Sequence, residues 1–137
     1  MKLEKTKYDN MWYEDLPKQC PPDDAFNPNG MILYRLAVSE IPTNNDFLSQ
    51  RYLNPDRIFN NVSECLARSI STLNDIDACK NMIKLPRYRK RFKSIFELKL
   101  DEKDGVIKQT FKKSEHFSWW RSNLFNFENP KKVRVLK

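Results

Sequence analysis

Only two glycines, Gly30 and Gly105, occur in the 137 residues of this chain. Few backbone positions can therefore take positive φ cheaply, and the chain must be built from ordinary helices, strands and polar turns. Glycine-rich phosphate loops are excluded. Neither G-x-G-x-x-G nor a Walker sequence is present, which removes Rossmann and P-loop enzymes from consideration. The two glycines follow Asn29 and Asp104, so each marks a turn.

Proline divides the chain. Pro17, Pro21, Pro22 and Pro28 forbid a long helix or a central strand in residues 1–30, which read as an extended arm. Residues 31–137 form a single globular domain, and 39% hydrophobic residues with 12% aromatics suffice for its core. Trp12, Tyr13, Leu16 and Phe26 are too apolar for a free tail. The arm packs on the domain or, through residues 1–28, on a larger protein partner.

Met31 to Ser39 reads as a strand buried on both faces. Arg35 lies within it and must find a carboxylate, backbone carbonyls or an anionic ligand. After a polar loop, Asn54-Pro55 opens a helix carrying Ile58, Phe59, Val62, Cys65 and Leu66. Ser69 to Thr72 is extended, and Thr72 with Asp75 resembles a capping box for a helix ended by Pro86. Phe92 to Leu100 alternates as a half-buried strand. Asp104-Gly105 turns it into Val106–Thr110 as a hairpin, and Val133 and Val135 suggest a short edge strand. The class is α+β: a mixed, mainly antiparallel sheet with two or three helices and an irregular Pro-rich N-terminal arm.

Cys20, Cys65 and Cys79 are odd in number and lack C-x-x-C spacing. With Met1 leading into polar sequence and not a signal peptide, they read as reduced thiols of a cytoplasmic protein. One histidine and no paired ligands argue against a metal site, and no apolar run approaches a membrane span.

The net charge of +7 is unevenly placed: Lys80 to Lys113 holds 12 Lys/Arg against 4 Asp/Glu. One third of the chain carries the whole positive excess, which suggests an anionic partner on one face. Its densest part is Arg87-Tyr88-Arg89-Lys90-Arg91-Phe92-Lys93. There the cations can neutralise phosphates of a nucleic acid, or meet an acidic protein, while Tyr88 stacks on a base. The alternative is a solvated loop between helix and strand, with Phe92 in the core.

His116 stands in Ser114-Glu115-His116-Phe117-Ser118-Trp119-Trp120. Beside a carboxylate and two tryptophans it can serve as a general acid or base in a partly dry cleft. The structural alternative is a core histidine within an aromatic cluster.

Leu33-Tyr34-Arg35-Leu36, Ser69-Ile70-Ser71-Thr72 and Ser114-Glu115-His116 together present a strand arginine, a Ser-Thr strand and a downstream acid. Over roughly residues 31–120 this order resembles the ADP-ribosyltransferase superfamily. The resemblance implies an NAD-using domain of a bacterial toxin or phage-defence kind that modifies a nucleic acid or protein target. It implies that Arg35 clamps the NAD pyrophosphate, with Tyr34 beside it. Ser71 or Thr72 would shape the ribose pocket, Glu115 would stabilise the oxocarbenium-like transition state, and Trp119 or Trp120 would stack on nicotinamide. The family's E-x-E or Q-x-E pair has no counterpart, since His116 and Phe117 follow Glu115. The alternative is a non-enzymatic basic accessory protein that binds nucleic acid or a larger partner.

Overall fold

The apolar run after Gly30 forms β1 (Met31–Ala37) in the computed structural model, which describes residues 11–111 and 115–135. Residues 1–10 of the arm, and Lys112, Lys113 and Ser114 of the basic third and the Ser-Glu-His match, lie outside the described residues. The chain continues through a 3₁₀ turn (Asn44–Phe47), α1 (Gln50–Leu53), α2 (Glu64–Ala67), β2 (Ile70–Leu73), α3 (Ile76–Met82) and α4 (Pro86–Arg91). It ends with β3 (Ser94–Leu100), β4 (Gly105–Gln109), β5 (His116–Arg121) and β6 (Lys131–Val135). The class is α+β, as the sequence implies. The sheet is wholly antiparallel in the order β4-β5-β2-β1-β3-β6, and four short helices replace the two or three expected.

This sheet is two three-stranded halves joined at one seam. β1 and β3 pair along their whole length, from Met31↔Leu100 to Ala37↔Ser94, whereas β1 and β2 register only at Tyr34↔Leu73. The expected hairpin does not form, because β4 pairs with β5 and not with β3. In a flat sheet β3 and β4 would stand roughly 19 Å apart, at about 4.8 Å per strand. Only Asp101–Asp104 connect them, and three of those residues form a tight 3₁₀ turn. The halves must therefore face one another at about the 10 Å spacing of packed sheets. Trp119 of β5 secures the crossover by donating its Nε1–H to the Asp104 carbonyl at 2.9 Å.

Alternation along the strands sends Leu33, Ala37, Phe96, Leu98 and Leu100 of one half against Ile70, Ile107, Phe117 and Trp119 of the other. Phe47 fills the space between them, its ring 6.1 Å from Phe96 and 6.5 Å from Trp119. On the outer face, Leu36 and Ile95 pack with Cys79, Ile76, Met82, Ile83 and Phe92, which docks α3 and the end of α4.

The strongest apolar helical pattern, Asn54 to Leu66, is not one helix: only its end, from Glu64, lies in α2. Asn54 caps the end of α1, and Ile58 is exposed. Pro55 withdraws a backbone donor, and Arg51 takes the carbonyls of the following loop instead. Its Nη1 donates to Pro55 O at 2.6 Å and Arg57 O at 2.9 Å, while Nε and Nη2 hold Glu64. Two other helix signals move as well. Asp75, not Thr72, caps α3 by accepting from Asp77 N–H, and Thr72 is buried in β2. Pro86 does not end a helix but opens α4, where a missing N–H is harmless in the first turn.

From residue 11 the arm lies on the domain. Trp12 bridges Ser122 and Phe26 bridges Ile107, so the β4 edge is partly covered. Glu14 is buried, accepting from Ser49 N–H at 2.9 Å and from its hydroxyl at 2.5 Å. The expectation of three reduced thiols is overturned. Cys20 and Cys65 form a disulfide that staples the arm to α2, and only Cys79 is free. They are 45 residues apart with no motif spacing, so only the path of the arm brings them together.

Candidate functional site

Beyond Tyr34↔Leu73 the seam between β1 and β2 opens, and Arg35 occupies the gap. In a continued ladder, Ser71 would bond to the β1 backbone. Here its carbonyl accepts from Arg35 Nη1 at 2.5 Å, while Arg35 Nε donates to Asp46 O at 2.6 Å. One guanidinium thus replaces backbone pairing across the split.

The split forms a cavity of about 430 Å³, within the range of small-molecule sites. Its lining includes Tyr34, Arg35, Ser71, Tyr88, Arg91 and His116. Burial lowers the Arg35 pKa to about 10; the Asp46 carboxylate opposes that shift and the Arg91 charge adds to it. Arg35 is still a cation at neutral pH. Among the described residues no carboxylate forms an ion pair with it. Asp46, the one acid in the lining, turns its carboxylate to Thr43, accepting from N–H at 2.9 Å and from the hydroxyl at 3.0 Å. The internal ion pair considered for Arg35 is therefore not formed.

His116 opens β5 at the cavity wall. Its Nδ1 lies 2.9 Å from Thr110 Oγ1, which is 2.9 Å from Ser118 Oγ, and Phe111 sets its ring edge-on at 4.9 Å. The ring is held in one orientation. Burial, then the charges of Glu97, Asp75 and Cys79, raise the Tyr34 phenol, which stays a hydrogen-bond donor at neutral pH.

Of the residues singled out from the sequence, Arg35, Tyr34, Ser71, Thr72 and His116 share this cavity. Thr72 contributes structure: its buried hydroxyl donates to Phe117 O at 2.9 Å across β2 and β5. Glu115 is half-buried at the turn before β5, where its carbonyl accepts from Asn74 N–H, and it is not in the lining. Trp119 and Trp120 are core residues with no exposed surface, their Nε1–H groups donated to Asp104 O and Cys65 O. Neither offers a ring face to the cavity.

The basic run is α4, not a loop. Arg87, Arg89, Lys90, Arg91 and Lys93 are exposed, while Tyr88 and Phe92 are half-buried and stacked with centroids 6.0 Å apart. Their one-turn separation puts both rings against the cavity, with Arg91 beside them, and leaves Arg87, Arg89, Lys90 and Lys93 outside. The polar loop before α1, read only as a connection, supplies Asn45 and Asp46 to the lining, beside Gln50 of α1. The Thr43-x-x-Asp46 spacing was its available signal, since it closes a capping box.

Another inward-facing arginine, this one buried, escaped the sequence reading. Arg121 donates Nη1–H to Phe47 O at 2.8 Å and Nη2–H to Asn44 Oδ1 at 2.6 Å. The Tyr13 ring covers it at 3.9 Å, with Phe125 at 5.1 Å. Burial lowers its pKa, against the raising effects of Tyr13, Glu14 and Tyr52.

Among the described residues no three His, Cys, Asp or Glu side chains converge as a metal ion requires, and no helix is long and apolar enough to cross a membrane. Comparison with protein-family models, curated proteins and solved structures finds no match.

Proposed function

We propose that the β1–β2 cavity binds a phosphate-bearing nucleotide, with NAD or its ADP-ribose portion as the ligand. The observation that carries this reading is a half-buried arginine facing a cavity with only backbone carbonyls as partners. Arg91 adds a second cation at the wall, and Tyr34 and Tyr88 add rings for a base. A pyrophosphate would relieve the repulsion between the two guanidinium groups. These residues fit the anionic part of NAD. They fit the transfer chemistry less well, because Glu115, the acid that the ADP-ribosyltransferase resemblance implies, is outside the lining.

That position of Glu115 favours a second reading, a domain that holds the nucleotide without transferring ADP-ribose to a nucleic acid or protein target. The disulfide also weighs against the cytoplasmic setting expected from the sequence, since such bonds persist mainly in oxidising compartments.

Calorimetric titration with NAD and ADP-ribose, beside a nicotinamide-release assay, tests both readings. Binding by the native protein that is weakened about tenfold or more in Arg91→Ala supports the nucleotide site. Turnover lost in Glu115→Gln supports the enzyme, and binding without turnover supports the second reading. No binding of either ligand sinks both.

A further inference from the structure

Residues 78–96 contain seven cations, Lys80, Lys84, Arg87, Arg89, Lys90, Arg91 and Lys93, and no acid. They span the end of α3, the link, α4 and the entry to β3, and all but the half-buried Lys80 are exposed. Only Lys80 has an acidic partner among the described residues, Asp77 at 3.9 Å. Arg87 and Arg91 lie over the rings of Tyr88 and Phe92, at 4.9 and 5.0 Å, which hold their guanidinium groups without neutralising them. Lys84 and Arg89, from the link and from α4, meet with Lys80, Asn81 and Asp77, the partner of Lys80, around a second, shallow depression of about 460 Å³.

We infer that this surface binds the phosphodiester backbone of a nucleic acid, independently of base sequence. The cations form a track that is too long for one small anion. Three of the seven are arginines on α4, whose planar forks suit phosphate. A bilayer surface fits poorly, because an interfacial helix needs a broad exposed apolar face, and here only Leu85 and Pro86 are exposed while Tyr88 and Phe92 line the cavity. An acidic protein fits poorly too, because protein interfaces centre on exposed aromatic residues and are depleted in lysine, and no aromatic ring in the patch is exposed. The track reaches the nucleotide cavity at Arg91, which would bring a bound strand to the cavity mouth. Strand binding itself does not rest on the nucleotide reading.

The test is fluorescence anisotropy with a labelled 20-nucleotide single-stranded RNA and the DNA of the same sequence, from 50 to 250 mM KCl. The expected dissociation constant at physiological salt is on the order of 1 to 100 µM, with log affinity falling against log salt at a slope of about −3 to −4. The double variant Lys84→Glu/Arg89→Glu should weaken binding at least about tenfold and flatten that slope by about 1.4, or roughly 0.7 for each phosphate no longer neutralised. Lys84→Gln/Arg89→Gln serves if charge reversal perturbs folding, checked by thermal melting. Both pairs lie outside the nucleotide cavity, so NAD titration of the same variants should be unchanged and separates the two proposals. Unchanged RNA binding in both variants overturns the inference. So does salt-insensitive binding, or equal displacement by polyglutamate of matched charge or by anionic phosphatidylserine vesicles.

Discussion

Arg35 and Arg121 are two solutions to one problem. Each is a guanidinium taken out of water on a strand, each lacks an ion-paired carboxylate among the described residues, and each takes a carbonyl from the end of the Asn44–Phe47 turn. Arg121 is enclosed: Tyr13 and Phe125 cover its faces, and its Nε is buried without a partner. Arg35 opens onto a cavity that also holds Arg91. The contrast separates roles that the residue type alone does not. An enclosed arginine ties segments together, and an open one is available to a ligand as well.

The largest expected effect is on the enclosure. The arm residue Tyr13 covers Arg121, and the Cys20–Cys65 bond fastens the arm. That bond closes a loop between positions 45 residues apart. Reducing it should cost about 4 kcal/mol by the chain-entropy relation, read by urea denaturation with and without reductant. A loss under about 1 kcal/mol would mean that the arm holds without its staple.

Arg121→Met comes next. It leaves the Phe47 carbonyl and the Asn44 amide oxygen without their donor, at a cost of about 3 kcal/mol in the same assay. Arg35→Met should cost less, about 1 to 2 kcal/mol, because water entering the cavity can replace part of what is lost. Its main effect is on NAD, with affinity falling about 100-fold. Equal destabilisation by both substitutions, with NAD binding intact, would erase the distinction.

The pH dependence sharpens it further. The folded-state pKa of Arg35, about 10, lies below the usual guanidinium value. Charged Arg35 therefore costs stability at all lower pH, and that cost is relieved as pH rises past about 10. Anion affinity should run the opposite way, flat from pH 7 to 9 and declining above about 10. A decline that survives in Arg35→Met would assign it elsewhere.

The smallest effect is at Cys79. Burial, with the nearby Asp75 charge, pushes its thiol up to about 12. At pH 8 only about one molecule in ten thousand carries the thiolate, so iodoacetamide should label the native oxidised protein negligibly and label one thiol after unfolding. Rapid labelling of the native form would show that α3 opens.

Legibility followed the range of the interaction. β1 could be read from its continuous apolar run and β3 from local alternation, and Arg35 stood out because a cation in such a strand needs a partner. The Asn54–Leu66 pattern misled for a related reason. Its apolar spacing suits a helix, but Arg51, itself held by Glu64, takes the backbone carbonyls of Pro55 and Arg57. Trp119 and Trp120 looked like stacking platforms only because sequence does not distinguish a core ring from a surface one. Arg121, in Trp-Trp-Arg-Ser, gave no signal because its cover comes from Tyr13 and Phe125.

The sequence by itself determined the α+β class, the absence of a glycine-rich phosphate loop, the charge concentrated in one third of the chain, and the need of Arg35 for a partner. All four follow from composition or from neighbours a few residues apart. Tertiary structure decided the rest: the halved sheet, the Cys20–Cys65 bond, the enclosure of Arg121, and the cavity that joins Arg35 to His116 and leaves Glu115 outside. These depend on which distant segments meet, and a short crossover such as Asp101–Asp104 can move a strand from one half to the other. Local pattern specifies which face of a strand is apolar, but only packing selects the surface that covers it.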